Sequence, residues 1–266
     1  MEPFLKIERD GPVATVTLNR PEERNAITET AHSEAFVAFC HDATRDLSLR
    51  AVILTGAGKA FCAGGNVKNM RDKVGLFAGS PFEQRNSYRT SVQMIGKALI
   101  ELEVPVIAAI NGPAIGLGLD IACMCDIRIA ADTAVMAESY VKLGIIPGGG
   151  GAWLLPRAIG MARASQMTLT GDAIDAAKAL EYGLVSEVLP GDRLLARARE
   201  IADGIAANPG HATRMAKRLL REGQHMQLPQ LLEMAAAYQA LAHHTEDHHE
   251  AIGAFLDKRA PDFKGR

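Results

Sequence analysis

Two stretches about fifty residues apart follow one plan, and that plan restricts the fold more than anything else in the chain. "AVILTGAGKAFCAGGN" (51–66) reads as a strand, a glycine turn, a short extended piece and a second glycine turn; "VPVIAAINGPAIGLGLDIACMCDI" (104–127) reads as strand, glycine loop and helix. A strand that passes through a bare loop into a further element suits a parallel α/β arrangement, in which the loops gather at strand ends and can host a ligand.

The flanking pattern agrees. Residues 5–18 alternate around Asp10-Gly11, with Ala14, Val16 and Leu18 on one face and Thr15 and Thr17 on the other, as expected of a hairpin. Thr28 is the expected cap of a helix reaching about Asp46, and further strands are expected at 126–131, 134–138 and 184–188. After Pro190 the pattern changes to helices alone, at 191–207, 211–223, 228–244 and 246–258, divided by Asn208-Pro209-Gly210 and Pro229. The expected organisation is an α/β core over 1–190 and a helical region over 191–266. Residues 71–83, "RDKVGLFAGSPFE", have weak periodicity and read as a mobile loop.

Composition narrows the class of partner. With 266 residues, 48% hydrophobic, the chain can bury a large core, and a formal net charge of −2 offers no general attraction to nucleic acid or anionic lipid. A small molecule is the expected partner. Cys40, Cys62, Cys123 and Cys125 lack disulfide or zinc spacing, the N-terminus lacks the pattern of a signal segment, and the apolar runs are far too short to span a bilayer. The expectation is a soluble cytoplasmic protein.

Common catalytic motifs are absent or broken. "TGAGK" fails the phosphate-loop pattern because Ile53 stands where its first glycine is required and Ala60 follows Lys59. Gly116-x-Gly118 begins a dinucleotide fingerprint, but Ile121 replaces the third glycine. His244 and His248 lie four apart, yet without an HExxH motif they read as a solvated helix face and no metal site is expected. Arg214, Lys217, Arg218 and Arg221 form a one-sided basic stripe, read as surface, with a part in holding an anionic ligand as the alternative. The two glycine loops remain. Each alone reads first as an ordinary tight turn; together they can point two backbone N–H groups at one oxyanion.

Taken in order, "KAFCAGGN", "NGPAIGLGLDIACMCDIRIA", "LGIIPGGGGAWLLPRAIG", "ALEYGLVSEVLP" and "FLDKRAPDFKGR" resemble the enoyl-CoA hydratase/isomerase, or crotonase, superfamily over nearly the whole chain. The resemblance implies a spiral of ββα units with a C-terminal helical region that assembles trimers or dimers of trimers. It also implies an acyl-CoA thioester substrate, whose coenzyme A is part of the substrate, with no separate cofactor.

The implied mechanism holds the thioester oxygen between two backbone N–H groups so that an enolate can form. These match Ala63 and Leu117. Asp120 matches the first of two acidic positions that hydratases use around a water, and it feels opposed effects: the helix N-terminus favours its ionised form and burial disfavours it. The second acidic position holds Tyr140, a donor but a poor base; Glu138, on the same face if the segment is extended, is a backup acid. Gly148 and Gly149 stand where certain isomerases carry an aspartate. The resemblance further places Gly64, Gly65, Asn66 and Gly116 along the coenzyme A path, Glu23 and Arg24 beside the nucleotide, and Phe255 and Lys258 at a neighbouring subunit's coenzyme A. The implied activity is hydration or double-bond isomerisation of an enoyl-CoA. The alternatives are a β-dicarbonyl-CoA hydrolase or decarboxylase of the same superfamily and a non-catalytic acyl-CoA-binding protein.

Overall fold

The computed structural model describes residues 2–265. The expected hairpin forms from β1 (Leu5–Asp10) and β2 (Val13–Leu18), antiparallel with Asp10 opposite Val13. The chain then enters α1 (Thr30–Arg45), which starts after Glu29 and without a side-chain cap, so the expected Thr28 cap is not made.

β3 (Ala51–Gly56), β4 (Val106–Ile110), β6 (Ile127–Ala131) and β9 (Glu187–Leu189) continue the sheet in parallel from β2, in the order β1-β2-β3-β4-β6-β9. β3 and β4 are buried along their whole length, which is why their sequences are continuous apolar runs rather than alternations. A second sheet has three strands: β5 (Ala114–Ile115) pairs in parallel with β7 (Val135–Ala137), and β7 pairs antiparallel with β8 (Ala173–Asp175). The three residues of β8 carry no apolar alternation, so no strand is legible there in the sequence.

Between β3 and β4 lie α2 (Val67–Asp72), α3 (Pro81–Ser87) and α4 (Gln93–Glu101), with a π-helical turn over Tyr88–Val92. The segment read as a mobile loop therefore has local order. Ser80 and Glu83 close a capping box at the start of α3, a pairing too short to register as hydrophobic periodicity. α5 (Leu117–Met124), α6 (Gly151–Ile159), α7 (Met161–Thr170) and α8 (Ala176–Tyr182) complete the core.

The C-terminal helices are α9 (Leu194–Ala206), α10 (Gly210–Glu222), α11 (Leu228–His243) and α12 (Glu246–Leu256). The change at 190 marks the end of strands, yet it does not separate two cores. Leu194, Ala198 and Ala202 of α9 pack with Val13, Ile53, Ile107 and Ile129 to cover one face of the main sheet. The basic stripe of α10 is only in part a solvated face: Arg218 is exposed, but two of its members turn inward. Arg214 and Lys217 are buried: Lys217 Nζ donates to the Val104 carbonyl at 2.7 Å and pairs with Asp126 at 2.7 Å, while Arg214 donates to the carbonyls of Thr44 and Asp46.

Candidate active site

The loop after β3 lies between two other segments. On one side Cys62 N–H donates to the Pro113 carbonyl at 3.1 Å, and Ile115 N–H donates to the Cys62 carbonyl at 3.0 Å. On the other, Ile27 N–H donates to the Gly64 carbonyl at 2.8 Å. The approach requires glycine. At Gly64 (φ +79°) a Cβ would stand 2.5 Å from the Ile115 carbonyl oxygen and 3.3 Å from the Leu117 nitrogen; at Gly118 it would overlap the Cys62 carbonyl. The two glycine loops legible in the sequence thus touch each other.

This arrangement decides which amides are available. Leu117 opens α5, so its N–H has no acceptor within the helix. Ala63 does not fit the role given to it: its N–H donates to the Arg24 carbonyl at 2.9 Å and is turned away from the second loop. The neighbouring geometry supplies a replacement. In a parallel bridge the partner residue bonds to the groups flanking the bridged position, so with Ile27 bridged to Gly65 the N–H of Gly65 itself turns to the opposite side, toward 113–117. Among the described residues no protein acceptor engages it. The free pair is Gly65 and Leu117.

Asp120 stands one turn into α5, its N–H bonded to the Gly116 carbonyl at 2.9 Å. It is buried, and its Oδ2 accepts a hydrogen bond from the Tyr140 hydroxyl at 2.8 Å. A Cβ on Gly149 would fall 2.5 Å from Leu117 Cδ1 and 2.6 Å from Asp120 Oδ2, which puts the carboxylate beside the residue bearing the second free amide. Of the opposed effects on Asp120, burial wins: it raises the pKa to about 6, with the Tyr140 hydroxyl pulling the other way. Burial, reinforced by the two nearby carboxyls, raises the Tyr140 phenol well above its ordinary value, so it stays protonated and donates.

Glu138 directly follows β7, and the chain turns into a 3-10 helix at Ser139–Leu143 instead of remaining extended. Its carboxyl nevertheless reaches Asp120: a Cβ on Gly151 would overlap both Glu138 Oε1 and Asp120 Oδ1. Burial and the neighbouring Asp120 raise the Glu138 pKa to about 9. The Gly151 amide and the Glu138 carboxyl lie near enough to Asp120 to favour its ionised form without closing a well-formed hydrogen bond to Oδ1.

Residues 67–92, the part of the chain least legible in the sequence, supply the walls. Met70 and Phe77 close over Gly65, and the Tyr88 ring covers Gly148 with Cε1 3.0 Å from where a Cβ would be. Asn66 caps α2 through Lys68 and Asn69, as its residue type suggested. The Gly116 backbone lies against the Tyr140 ring. Glu23 and Arg24 are exposed on the turn after β2, with Arg24 in the left-handed region at φ 53°. Phe255 and Lys258 are exposed at the end of α12. His244 and His248 do not meet; His243 Nδ1 lies 3.0 Å from His248 Nε2 instead, and no group of three metal-ligating side chains occurs among the described residues.

The chain as a whole is similar to known proteins. The family model described as enoyl-CoA hydratase/isomerase matches residues 8–266. The chain belongs to the enoyl-CoA hydratase/isomerase family. A Mycobacterium tuberculosis protein named as a probable enoyl-CoA hydratase is 39% identical, the match covering 98% of each chain. The 1,2-epoxyphenylacetyl-CoA isomerase of Escherichia coli is 35% identical over the full length of both. The crystal structure of an enoyl-CoA hydratase from Bacillus anthracis superposes with a TM-score of 0.92 at 36% identity, covering 99% of this chain and all of that one. The molecule therefore has the crotonase fold, and it is an enzyme of this family.

Proposed function

We propose that the protein converts an enoyl-CoA thioester, by hydration or double-bond isomerisation, through an enolate held between the amides of Gly65 and Leu117. The observation that carries this reading is the meeting of two unengaged amides beside one buried carboxylate. Asp120 takes a proton from water or from the substrate carbon, electron density moves onto the thioester oxygen, and the amides stabilise the charge that develops there. The conjugate acid of Asp120 then returns a proton to carbon. A pKa raised to about 6 suits both halves of that cycle near neutral pH.

On this reading Gly64, Gly65, Asn66 and Gly116 line the pantetheine path, Arg24 pairs with a phosphate beside Glu23, and Phe255 and Lys258 reach the coenzyme A of an adjoining subunit. The exposed Leu228, Leu232, Leu241 and Leu256 of α11 and α12 support assembly as a trimer or a dimer of trimers. Light scattering should give three or six times the 28.4 kDa chain mass. Among the described residues no helix is long and apolar enough to cross a membrane. The four cysteines are free and lack disulfide spacing, and on that ground we propose a reducing, cytoplasmic location.

A panel of enoyl, dienoyl and β-keto thioesters, read by mass spectrometry, tests the proposal. Loss of enoyl absorbance with crotonyl-CoA marks hydration; a shifted double bond at unchanged mass marks isomerisation. Asp120→Asn should lower turnover by at least about 100-fold, as loss of the proton-transfer group does, while thioester binding is nearly kept. Full activity in that variant, or binding of every thioester with no conversion, overturns the reading.

A further inference from the structure

The Asp120–Glu138 contact is not explained by the oxyanion site. Two buried carboxyls face each other, and no lysine, arginine or histidine forms an ion pair with either among the described residues. Asp120 Oδ1 and both Glu138 oxygens are buried without a hydrogen-bond partner. Two ionised carboxylates in that position would repel each other with nothing to offset the loss of hydration. One proton between them removes the repulsion and turns an unpaired acceptor into a donor.

We infer that Glu138 is a positioning residue that stays protonated at neutral pH and donates to Oδ1 of ionised Asp120, so that the pair holds a single proton. Asp120 then accepts from Tyr140 on Oδ2 and from Glu138 on Oδ1. Both bonds fix its orientation and favour the ionised form, which is the form that acts as a base. This deepens the proposed role of Asp120 and rests on it.

The surroundings are consistent with one proton on the pair. From α5 and the first loop, the thiols of Cys123 and Cys62 face it, both pushed up to about 12 by burial and so neutral. Tyr140 and, beyond it, Tyr88 are protonated phenols held up by burial. Arg128 lies close to Cys123, but its guanidinium donates to the Leu184 and Cys125 carbonyls at 2.7 and 2.8 Å. From α6 the Gly151 amide faces Asp120. The uncharged amide of that helix terminus assists one anion, and it brings no charge to balance a second.

Three measurements on the full chain test the inference. Infrared difference spectra at pH 7 should show the C=O stretch of a protonated buried carboxylic acid, absent in Glu138→Gln and kept in Asp120→Asn. The rate–pH profile should rise through about 6 as Asp120 ionises and fall through about 9 as Glu138 loses its proton. Glu138→Gln, whose amide still donates, should abolish the fall while holding kcat at pH 7 within about threefold.

Thermal stability gives a readout independent of turnover. A carboxyl whose pKa is raised on folding contributes stability that is whole below its unfolded value and is lost as pH climbs through the folded one. Glu138→Gln should therefore gain in melting temperature over the parent as pH rises toward 9, the gain shrinking toward pH 4. No carboxylic acid band at pH 7, or a band lost with Asp120→Asn and kept with Glu138→Gln, overturns the inference. If no thioester is converted, the proposed function fails while the infrared and stability results still decide the state of the pair.

Discussion

Asp120 shows how a single carboxylate can be adjusted by its immediate neighbours. Its place in the first turn of α5 lowers the cost of its charge, burial raises it, and the Tyr140 hydroxyl returns part of what burial removes. Tyr140→Phe deletes that donor and leaves Oδ2 without its partner. The Asp120 pKa then rises further, and since the proposed reaction needs Asp120 ionised, the acid limb of the rate–pH profile should move up by about one unit. We expect kcat at pH 7 to fall by about 10- to 100-fold, within the range of a lost general acid–base interaction. An unchanged acid limb would assign Tyr140 to packing alone.

At the scale of elements, the site depends on how closely two loops approach. Gly118 lies on the Cys62 carbonyl, and Gly64 faces the Ile115 carbonyl with a backbone in the left-handed region. Gly118→Ala must push α5 away from the first loop, separating the Leu117 amide from that of Gly65. A displacement of about 1 Å is enough to cost about 100-fold in rate. We predict a loss of that order in kcat/KM, with the circular dichroism spectrum little changed. Gly160→Ala is the matching control, since a Cβ there meets nothing within 4 Å, although its φ of +80° will cost some stability without touching the loops.

For the molecule as a whole, the question is what holds the C-terminal helices to the α/β core. Part of the answer is a buried polar junction. Asp126, at the entry to β6, receives Lys217 and Arg221 from α10 at 2.7 Å each and the Val106 N–H at 2.8 Å. Burial lowers the Lys217 pKa, and Asp126 opposes that shift. Lys217→Met removes the ammonium and leaves the Val104 carbonyl without its donor. The cost should be about 3 kcal/mol, typical of breaking a buried pair, measured as an earlier denaturant midpoint. Because β4, β6 and α5 share this junction, the site should loosen with it, and KM should rise before the chain unfolds.

The sequence alone was enough to establish the parallel α/β core, the paired glycine loops, the acid in the first turn of the following helix and the helical C-terminal region. Those features are local: apolar runs of strand length, glycines where loops must be bare, and helical periodicity all lie within a few residues. The resemblance to a known family was legible for the same reason, in short ordered motifs. What only the tertiary structure decided depends on neighbours distant in the chain. The Ala63 amide is taken by the Arg24 carbonyl, so the amide left free in the first loop is that of Gly65. Lys217 of the basic stripe on α10 is buried because Asp126 and the Val104 carbonyl meet it. Glu138 joins Asp120 although the segment between Glu138 and Tyr140 is not extended. In each case the direction of an amide or the charge of a side chain is set by groups brought together in folding, and such groups leave no periodic trace in the sequence.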